Sequence, residues 1–361
     1  MGTDRIRTWR HGAANAQSAS ARPRDARKIA AVAVTVAVGL GVAACGGSSE
    51  DGGSSGGGSV DVVAYSTPQE LYEDSIIPAF QETPEGEGVE FSASFGSSGD
   101  QSRAVESGLP ADFVHLSLEP DMQRLVDAGI VADDWTETDT DGQVQESVVV
   151  FITRPGNPKD ITEWDDLVRD DVDVLTPNPF TSGGARWNIM AAYGQAVNSG
   201  ASDEEALEFV QQLLENTVVQ DASARDSLQT FLGGQGDVLI GYENEAIAAQ
   251  NAGEEVEYTI PDDTILIEPP ATVPDEAEES QEADAFLDFL VSEEGQRLFA
   301  EGGYRPVDEK VLAEFEQDFP TPSGLFTIED FGGWEKVAVD FFDPESGSVA
   351  EIERELGVAT E

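Results

Sequence analysis

From Val60 onward, short β-branched runs and amphipathic stretches take turns, and that alternation limits the fold more than any other feature of the chain. "VDVVAYS", "VEFSASFG" and "ADFVHLSL" read as strands. "PQELYEDSIIPAFQE", divided by Pro78, "DQSRAVESG" and "PDMQRLVDAG" read as helices, the last two ending on Gly108 and Gly129. Strand and helix units in series imply a mostly parallel sheet with helices on its faces. The series restarts at "SVVVFITR" (147–154). It continues through "ITEWDDLVRD", "VDVLTPN", a helix after Gly184, "DEEALEFVQQLLEN", "SLQTFLGG" and "DVLIGY". "VEYTIP" and "ILIEPP" read as strands near a crossing point. "EADAFLDFLVSEEGQRLFAEGG" reads as one long helix with Phe286, Leu287, Phe289, Leu290 and Leu298 inward, and "LFTIEDFGGWEKVAVDFF" as a C-terminal helical segment. A restarted series in a body of about 300 residues implies two lobes. The boundaries expected are 60–147 with 262–312 for lobe 1, 148–261 for lobe 2, and 313–361 packing on both. A hinge is expected near 147–150 and 258–268.

The chain ahead of Val60 is a different kind of polymer. Arg22, Arg24, Arg27 and Lys28 precede "IAAVAVTVAVGLGVAA", sixteen uncharged residues, too short for a comfortable membrane span. That run ends at Cys45, the only cysteine. "VAAC" resembles the lipobox of bacterial lipoproteins, whose cysteine becomes the lipid-bearing first residue. Residues 1–44 are therefore expected to be a lipoprotein signal peptide, with Cys45 the lipidated residue. Residues 45–59, which include "GGSSEDGGSSGGGS", are expected to be a flexible tether. The mature protein is expected on the extracytoplasmic face of the cell membrane, held there by lipid alone.

Charge excludes several partners. The chain carries 72 acidic and 19 basic residues, and removing the leader, with seven basic and two acidic residues, takes the formal charge from −53 to −58. Nucleic acid and anionic membrane surfaces are poor partners for such a body. The composition fits a chain adapted to high salt, where a Debye length of about 3 Å at 1 M screens self-repulsion.

In parallel sheets ligands gather beyond the carboxyl ends of strands, where helices begin. Four such junctions here are rich in small residues and hydroxyls: Ser66-Thr67-Pro68, Gly96-Ser97-Ser98-Gly99, Ser182-Gly183-Gly184 and Ala222-Ser223-Ala224. The third is the oddest, because "TSGGARWN" opens a helix on two glycines, poor helix formers. Two readings remain open at this point. Thr181 or Ser182 caps the first turn, or the bare amides, approachable where no Cβ intervenes, are left for an anion. Arg103, Arg186 and Arg225 each lie within five residues of one of these junctions, in a mature chain with only 12 basic residues. They either support the site from behind or pair with surface carboxylates.

The wording around these junctions resembles the bacterial sulfate-binding protein family, most of all its lipid-anchored actinobacterial branch. "VLTPNPFTSGGARWN", "AYSTPQELY", "FGSSGDQSRAVESGLPAD", "VFITRPGNPK", "ENEA", "SEEGQ", "YRP" and "LFTIEDFGGW" occur in that family's order over about residues 60 to 345. The resemblance implies an α/β, two-lobed periplasmic-binding-protein type II fold, each lobe a mostly parallel sheet flanked by helices. It implies capture of sulfate, with thiosulfate as an alternative, for an ABC importer's permease and ATPase subunits. Carried over by motif, Ser66 supplies a backbone amide, Ser98 its hydroxyl, Ser182, Gly183 and Gly184 consecutive amides, and Ala224 another. The family's enterobacterial pattern has Asp at the Ser66 position, a change that a backbone donor survives. It ends with an indole N–H in a "WENEA" context where this chain has Tyr242 in "YENEA". Tyr242 either donates its phenolic proton or only walls the cleft. Other readings are a different tetrahedral oxyanion, molybdate or tungstate, or a surface anion sensor or scaffold.

The chemistry of the donors points the same way. Sulfate at neutral pH has no proton to give, so a site of donors alone suits it, whereas an acceptor would repel it. Roughly six or seven amide bonds to a charged acceptor, each worth about 1.5–3 kcal/mol, can outweigh desolvation of a dianion without a fixed cation. Catalysis finds no support. His11 lies in the leader, His115 in a strand, and no nucleophile–His–acid set can be assembled. "ETDTDGQVQESV" begins like a calcium loop but has Val148 where the bidentate Glu belongs. "GGQGD" lacks a nucleotide fingerprint. The expectation is a monomeric binding protein without cofactor or metal.

Overall fold

The computed structural model describes residues 58–275, 277 and 279–360. The leader, Cys45 and the tether as far as residue 57 lie outside the described residues. The strands in chain order are β1 (Ser59–Tyr65), β2 (Glu90–Gly96), β3 (Phe113–His115), β4 (Ser147–Thr153), β5 (Val174–Leu175), β6 (Thr217–Val219), β7 (Val238–Tyr242), β8 (Glu257–Thr259), β9 (Asp263–Ile267), β10 (Ala271–Thr272) and β11 (Gly324–Phe326). The helices are α1 (Gln69–Leu71), α2 (Ile77–Gln81), α3 (Ser98–Glu106), α4 (Glu119–Asp127), α5 (Gly183–Asn198), α6 (Asp203–Glu215), α7 (Ala224–Leu232), α8 (Glu243–Asn251), α9 (Ser280–Val291), α10 (Glu293–Glu301), α11 (Glu309–Glu314), α12 (Gly333–Asp340) and α13 (Ser348–Leu356). A π-turn over Tyr72–Ile76 joins α1 to α2, just ahead of Pro78, whose missing N–H prevents a regular ladder there.

Two sheets carry the two lobes. The smaller has the order β10-β3-β1-β2, with β1 parallel to both β2 and β3, and β10 antiparallel to β3. The larger has the order β11-β9-β4-β7-β5-β6, with β8 also on β4. β5, β6 and β7 are parallel to one another, whereas β4 runs against β7, β8 and β9. The central strands are the most apolar, as burial on both faces demands. β4 is buried along its whole length, and in β1 all but Ser59 and Asp61 are buried. A small-lobe core gathers Phe80, Phe113, Phe286 and Phe299. A large-lobe core gathers Phe151, Trp164, Trp187 and Trp334.

The structure differs from the sequence reading in three places. Asp263–Ile267, read as the start of the return to lobe 1, pairs with β4 and β11 in the larger sheet. The segment from 313 on, read as helical, contributes β11 to that sheet as well as α12 and α13. The long helix read over 282–303 is two helices. Ser292 leaves the helical region (φ −69°, ψ 160°) and its Oγ accepts from Gly295 N at 3.2 Å, starting α10 afresh. Phe286 and Leu290 are fully buried and Phe289 nearly so, while Leu287 and Leu298 are half-buried against the same core.

The chain passes between the lobes at residues 143–147, 267–271 and 305–324. The first two crossings are stitched by a bridge between Gln143 and Pro270, and the first and third by one between Glu146 and Arg305. Arg305 also makes a buried two-point pair with Glu243 at the start of α8, at 2.7 and 3.1 Å. Burial pushes the Glu243 carboxyl above its ordinary range, and Arg305 offsets part of that shift. Removing one member of a buried pair strands the other charge. We expect Arg305→Met to lower unfolding stability by about 3–5 kcal/mol in urea titrations, and adding Glu243→Met to recover most of that loss.

Candidate functional site

β1, β2 and β3 of the smaller sheet, and β5, β6 and β7 of the larger, all point their carboxyl ends at the seam between the lobes. The residues that follow them line a single small cavity there: Tyr65, Ser66 and Thr67 after β1, Ser97 and Ser98 after β2, and Ser117 after β3. From the other lobe come Ser182, Gly183 and Gly184 after β5, Ala224 after β6, and Tyr242 at the end of β7. All seven anion-binding positions expected from the sequence, Ser66, Ser98, Ser182, Gly183, Gly184, Ala224 and Tyr242, are thus brought to one place. Every residue lining it is uncharged. Its free volume is small, about 10 Å³, which excludes a sugar, nucleotide or amino acid and leaves room for one small ion. An open groove of about 460 Å³ that shares Thr67 with it holds Glu70, Asp74, Glu254 and Glu301, and another of about 850 Å³ along α4 and α12 holds Glu106, Glu119, Asp127 and Glu335.

Helix starts supply the donors. The first amides of a helix have no intrahelical acceptor. Ser202, Ser223, Ser292 and Asp308 cap their own helices with side-chain oxygens, but Ser97 and Ser182 do not. Thr181, the other candidate cap for α5, spends its hydroxyl on Ala222 O at 2.8 Å. The two glycines of "TSGGARWN" therefore open onto the cavity, and of the two readings the structure adopts the uncapped one. Thr67 Oγ1 lines the same cavity, buried and without a hydrogen-bond partner among the described residues.

Two hydroxyls are arranged differently from the expectation. Ser98 Oγ donates to the buried Asp121 carboxylate at 2.7 Å and accepts from Ser117 N at 2.9 Å, so its proton turns away from the cavity. Tyr242 Oη lies 2.9 Å from Ser117 Oγ, across the seam. Burial pushes the Tyr242 phenol well above its ordinary range, with the nearby Tyr65 and Glu245 adding to the shift, so it stays protonated. Ser117 is the residue the sequence reading passed over. Its junction obeys the same strand-to-helix rule as the others, but Leu118 follows it and no glycine marks it. Ser117 is held at three points, because its carbonyl also accepts from Trp187 Nε1 of the opposite lobe at 2.8 Å.

The three arginines stay outside the cavity lining. Arg225, on α7, reaches across to Glu70 and to Ser66 O of the other lobe. Arg186 donates to Pro179 O at 2.7 Å and stacks over Phe342. Arg103 pairs with Asp100 at 2.6 Å on the surface. Beneath Tyr242, Glu245 Oε2 accepts from Tyr242 N at 3.0 Å while Oε1 has no partner among the described residues. Burial pushes this carboxyl up to about 7, against the pull of Tyr242 N–H and Arg225. His115, away from the cavity, is a core residue. Its Nδ1 bonds Tyr72 Oη at 2.9 Å, and burial lowers its pKa to about 3, leaving it neutral.

The family model for bacterial extracellular solute-binding proteins matches residues 60–305. A sulfate-binding protein of Synechococcus elongatus is 40% identical over 325 residues, 86% of this chain and 91% of that protein. A thiosulfate-binding protein of Pseudomonas aeruginosa is 35% identical over 292 residues, 78% of this chain and 88% of that one. Among solved structures, the sulfate-binding protein SubI from Mycobacterium tuberculosis H37Rv superposes with a TM-score of 0.77 at 43% identity, covering 79% of this chain and 99% of that one.

Gly183 tests whether the seam must close for the cavity to form. A Cβ there would lie 2.8 Å from Ser117 Oγ and Leu118 Cγ and 2.9 Å from Ser117 Cβ, all in the facing lobe. We expect Gly183→Ala to hold the lobes apart and weaken anion binding at least tenfold, about 1.4 kcal/mol, while the melting temperature of the unliganded protein stays within a few degrees.

Proposed function

The chain belongs to the bacterial extracellular solute-binding proteins, among their sulfate-binding members, and from that premise we propose that it captures sulfate between its lobes and delivers it to an ABC importer. One observation carries the reading: an anion-sized cavity lined only by neutral groups, most of them helix-start amides and hydroxyls. Such donors suit an oxyanion that carries no proton, and hydrogen bonds to a charged acceptor are the strong ones. The donors come from both lobes, so the ligand itself completes the contact between them. Thiosulfate exchanges one oxygen for a larger sulfur, and molybdate and tungstate are larger throughout. A cavity this small favours sulfate, the smallest of the four.

Calorimetric titration in chloride buffer tests this. One sulfate per chain should bind, equally well with and without a chelator, and more tightly than thiosulfate or molybdate. No heat and no thermal shift with sulfate, alongside a response to another oxyanion, overturns it.

The remainder of the proposal concerns where the protein works. Cys45 carries the lipid, the tether keeps a monomeric, non-catalytic body at the extracytoplasmic face, and the importer's permease and ATPase subunits are its partners. No described helix is long and apolar enough to cross a membrane. Cys45→Ala should leave the leader uncleaved or move the protein from the membrane fraction to the medium; unchanged processing and detergent partitioning count against the anchor.

A further inference from the structure

The groove that meets the anion cavity at Thr67 is walled by helix faces from both lobes. On α7, Arg225, Leu228, Gln229 and Leu232 recur at the spacing of one helical face, and all four line it. α8 contributes the small side chains of Ala248 and Ala249 rather than large ones, which leaves about 460 Å³ open. Leu71 and Leu298 complete the apolar part of the lining. The four leucines belong in pairs to different cores. Leu71 and Leu298 pack on the core of the smaller lobe, Leu228 and Leu232 on a core of the larger one. Each is half-buried and keeps apolar surface in the groove. A surface supplied in halves by two lobes is continuous only while the lobes are together.

The rim is acidic and largely unneutralised. Glu70, Asp74 and Glu301 stand on the smaller lobe and Glu254 on the larger. Arg225 is the only basic residue of the lining, and it is spent on Glu70 and Ser66 O. Among the described residues, Asp74, Glu254 and Glu301 pair with no basic side chain. The whole body is acidic, so charge alone singles out no surface. Four half-buried leucines beside three unpaired carboxylates do. The groove along α4 and α12 has carboxylates but no leucine, and its Arg124 already pairs with Asp121 and Glu106.

An occupant that suits this wall presents apolar side chains flanked by cations. A basic amphipathic helix carries both, one along each side of its apolar stripe. The partner with reason to seek a surface that only closed lobes complete is the importer's permease, which must tell a loaded body from an empty one. Resting on the importer reading above, we propose that the groove between α7, α8 and α10 is the docking site for a basic amphipathic helix of the permease, its cations on Asp74, Glu254 and Glu301 and its apolar side chains on the four leucines.

The test follows ATP hydrolysis by the purified permease and ATPase subunits in lipid nanodiscs as sulfate-loaded binding protein is titrated in. Glu254→Lys with Glu301→Lys should raise the concentration for half-maximal stimulation roughly tenfold or more. Sulfate affinity by calorimetry should stay within about twofold. Leu232→Ala with Leu298→Ala should weaken stimulation likewise, through the apolar part of the contact. Glu106→Lys with Asp127→Lys, in the other groove, makes the same change in net charge and should leave stimulation within about twofold. The docking site is overturned if the variants of this groove stimulate like the unaltered protein. It is equally overturned if the two charge-reversed variants weaken stimulation to the same degree, the mark of general attraction. If the unaltered, sulfate-loaded protein stimulates no hydrolysis, the importer reading fails and this proposal with it.

Discussion

A closed polar cavity must account for every N–H and O–H in its wall, and the whole molecule is arranged around that constraint. Unpaired buried donors cost about 1–3 kcal/mol each. Helix starts are where a protein has such donors in surplus. Two sheets that aim their strand ends at one seam bring several of these starts to one point, which a single sheet edge could not do. The same requirement explains why Ser97 and Ser182 leave their helices uncapped while Ser202, Ser223 and Ser292, elsewhere or at the rim, cap theirs.

The overall charge makes this solution more intelligible. In a body with so few cations, each basic group near the seam is bound to a carboxylate, a carbonyl or a ring: Arg225 to Glu70 and Ser66 O, Arg186 to Pro179 O, Arg103 to Asp100. A cation inside the cavity would attract an anion but would not tell one oxyanion from another. Neutral donors, each fixed in direction by a helix axis, respond to where the ligand's oxygens and protons lie. The buried carboxyls close behind, Asp121 and Glu245, are both engaged as acceptors, Asp121 by Ser98 and Arg124, Glu245 by the Tyr242 amide.

Much of this could be read from the chain. The alternation of strands and helices, the restart at Ser147 and the small residues at four junctions located the cavity to within its lining, because those patterns follow from local rules. What escaped had causes that are not local. β9 joins the larger sheet because β4 offers it an edge, a fact about strand order that spacing does not encode. The break at Ser292 was hidden by a continuous apolar stripe on both sides of it, although Ser292 followed by two glutamates is a helix-start signal. Ser117 carried no glycine to draw attention to it. Ser98 was correctly placed in the wall, but the direction of its proton depends on Asp121, twenty-three positions away.

The bridge from Arg225 to Glu70 and Ser66 O responds to salt differently from the contacts inside it. It is the visible clasp across the seam, yet both side chains are partly exposed, at 31% and 61%. Exposed ion pairs contribute about 0–1 kcal/mol and fade as salt rises. The contacts Ser117 makes to Trp187 and Tyr242 are buried and uncharged, and salt screens them little. In brine as in dilute buffer, then, it is these inner contacts that keep the two lobes together at the seam. The outer clasp across the seam is therefore salt-dependent while the inner contacts are not.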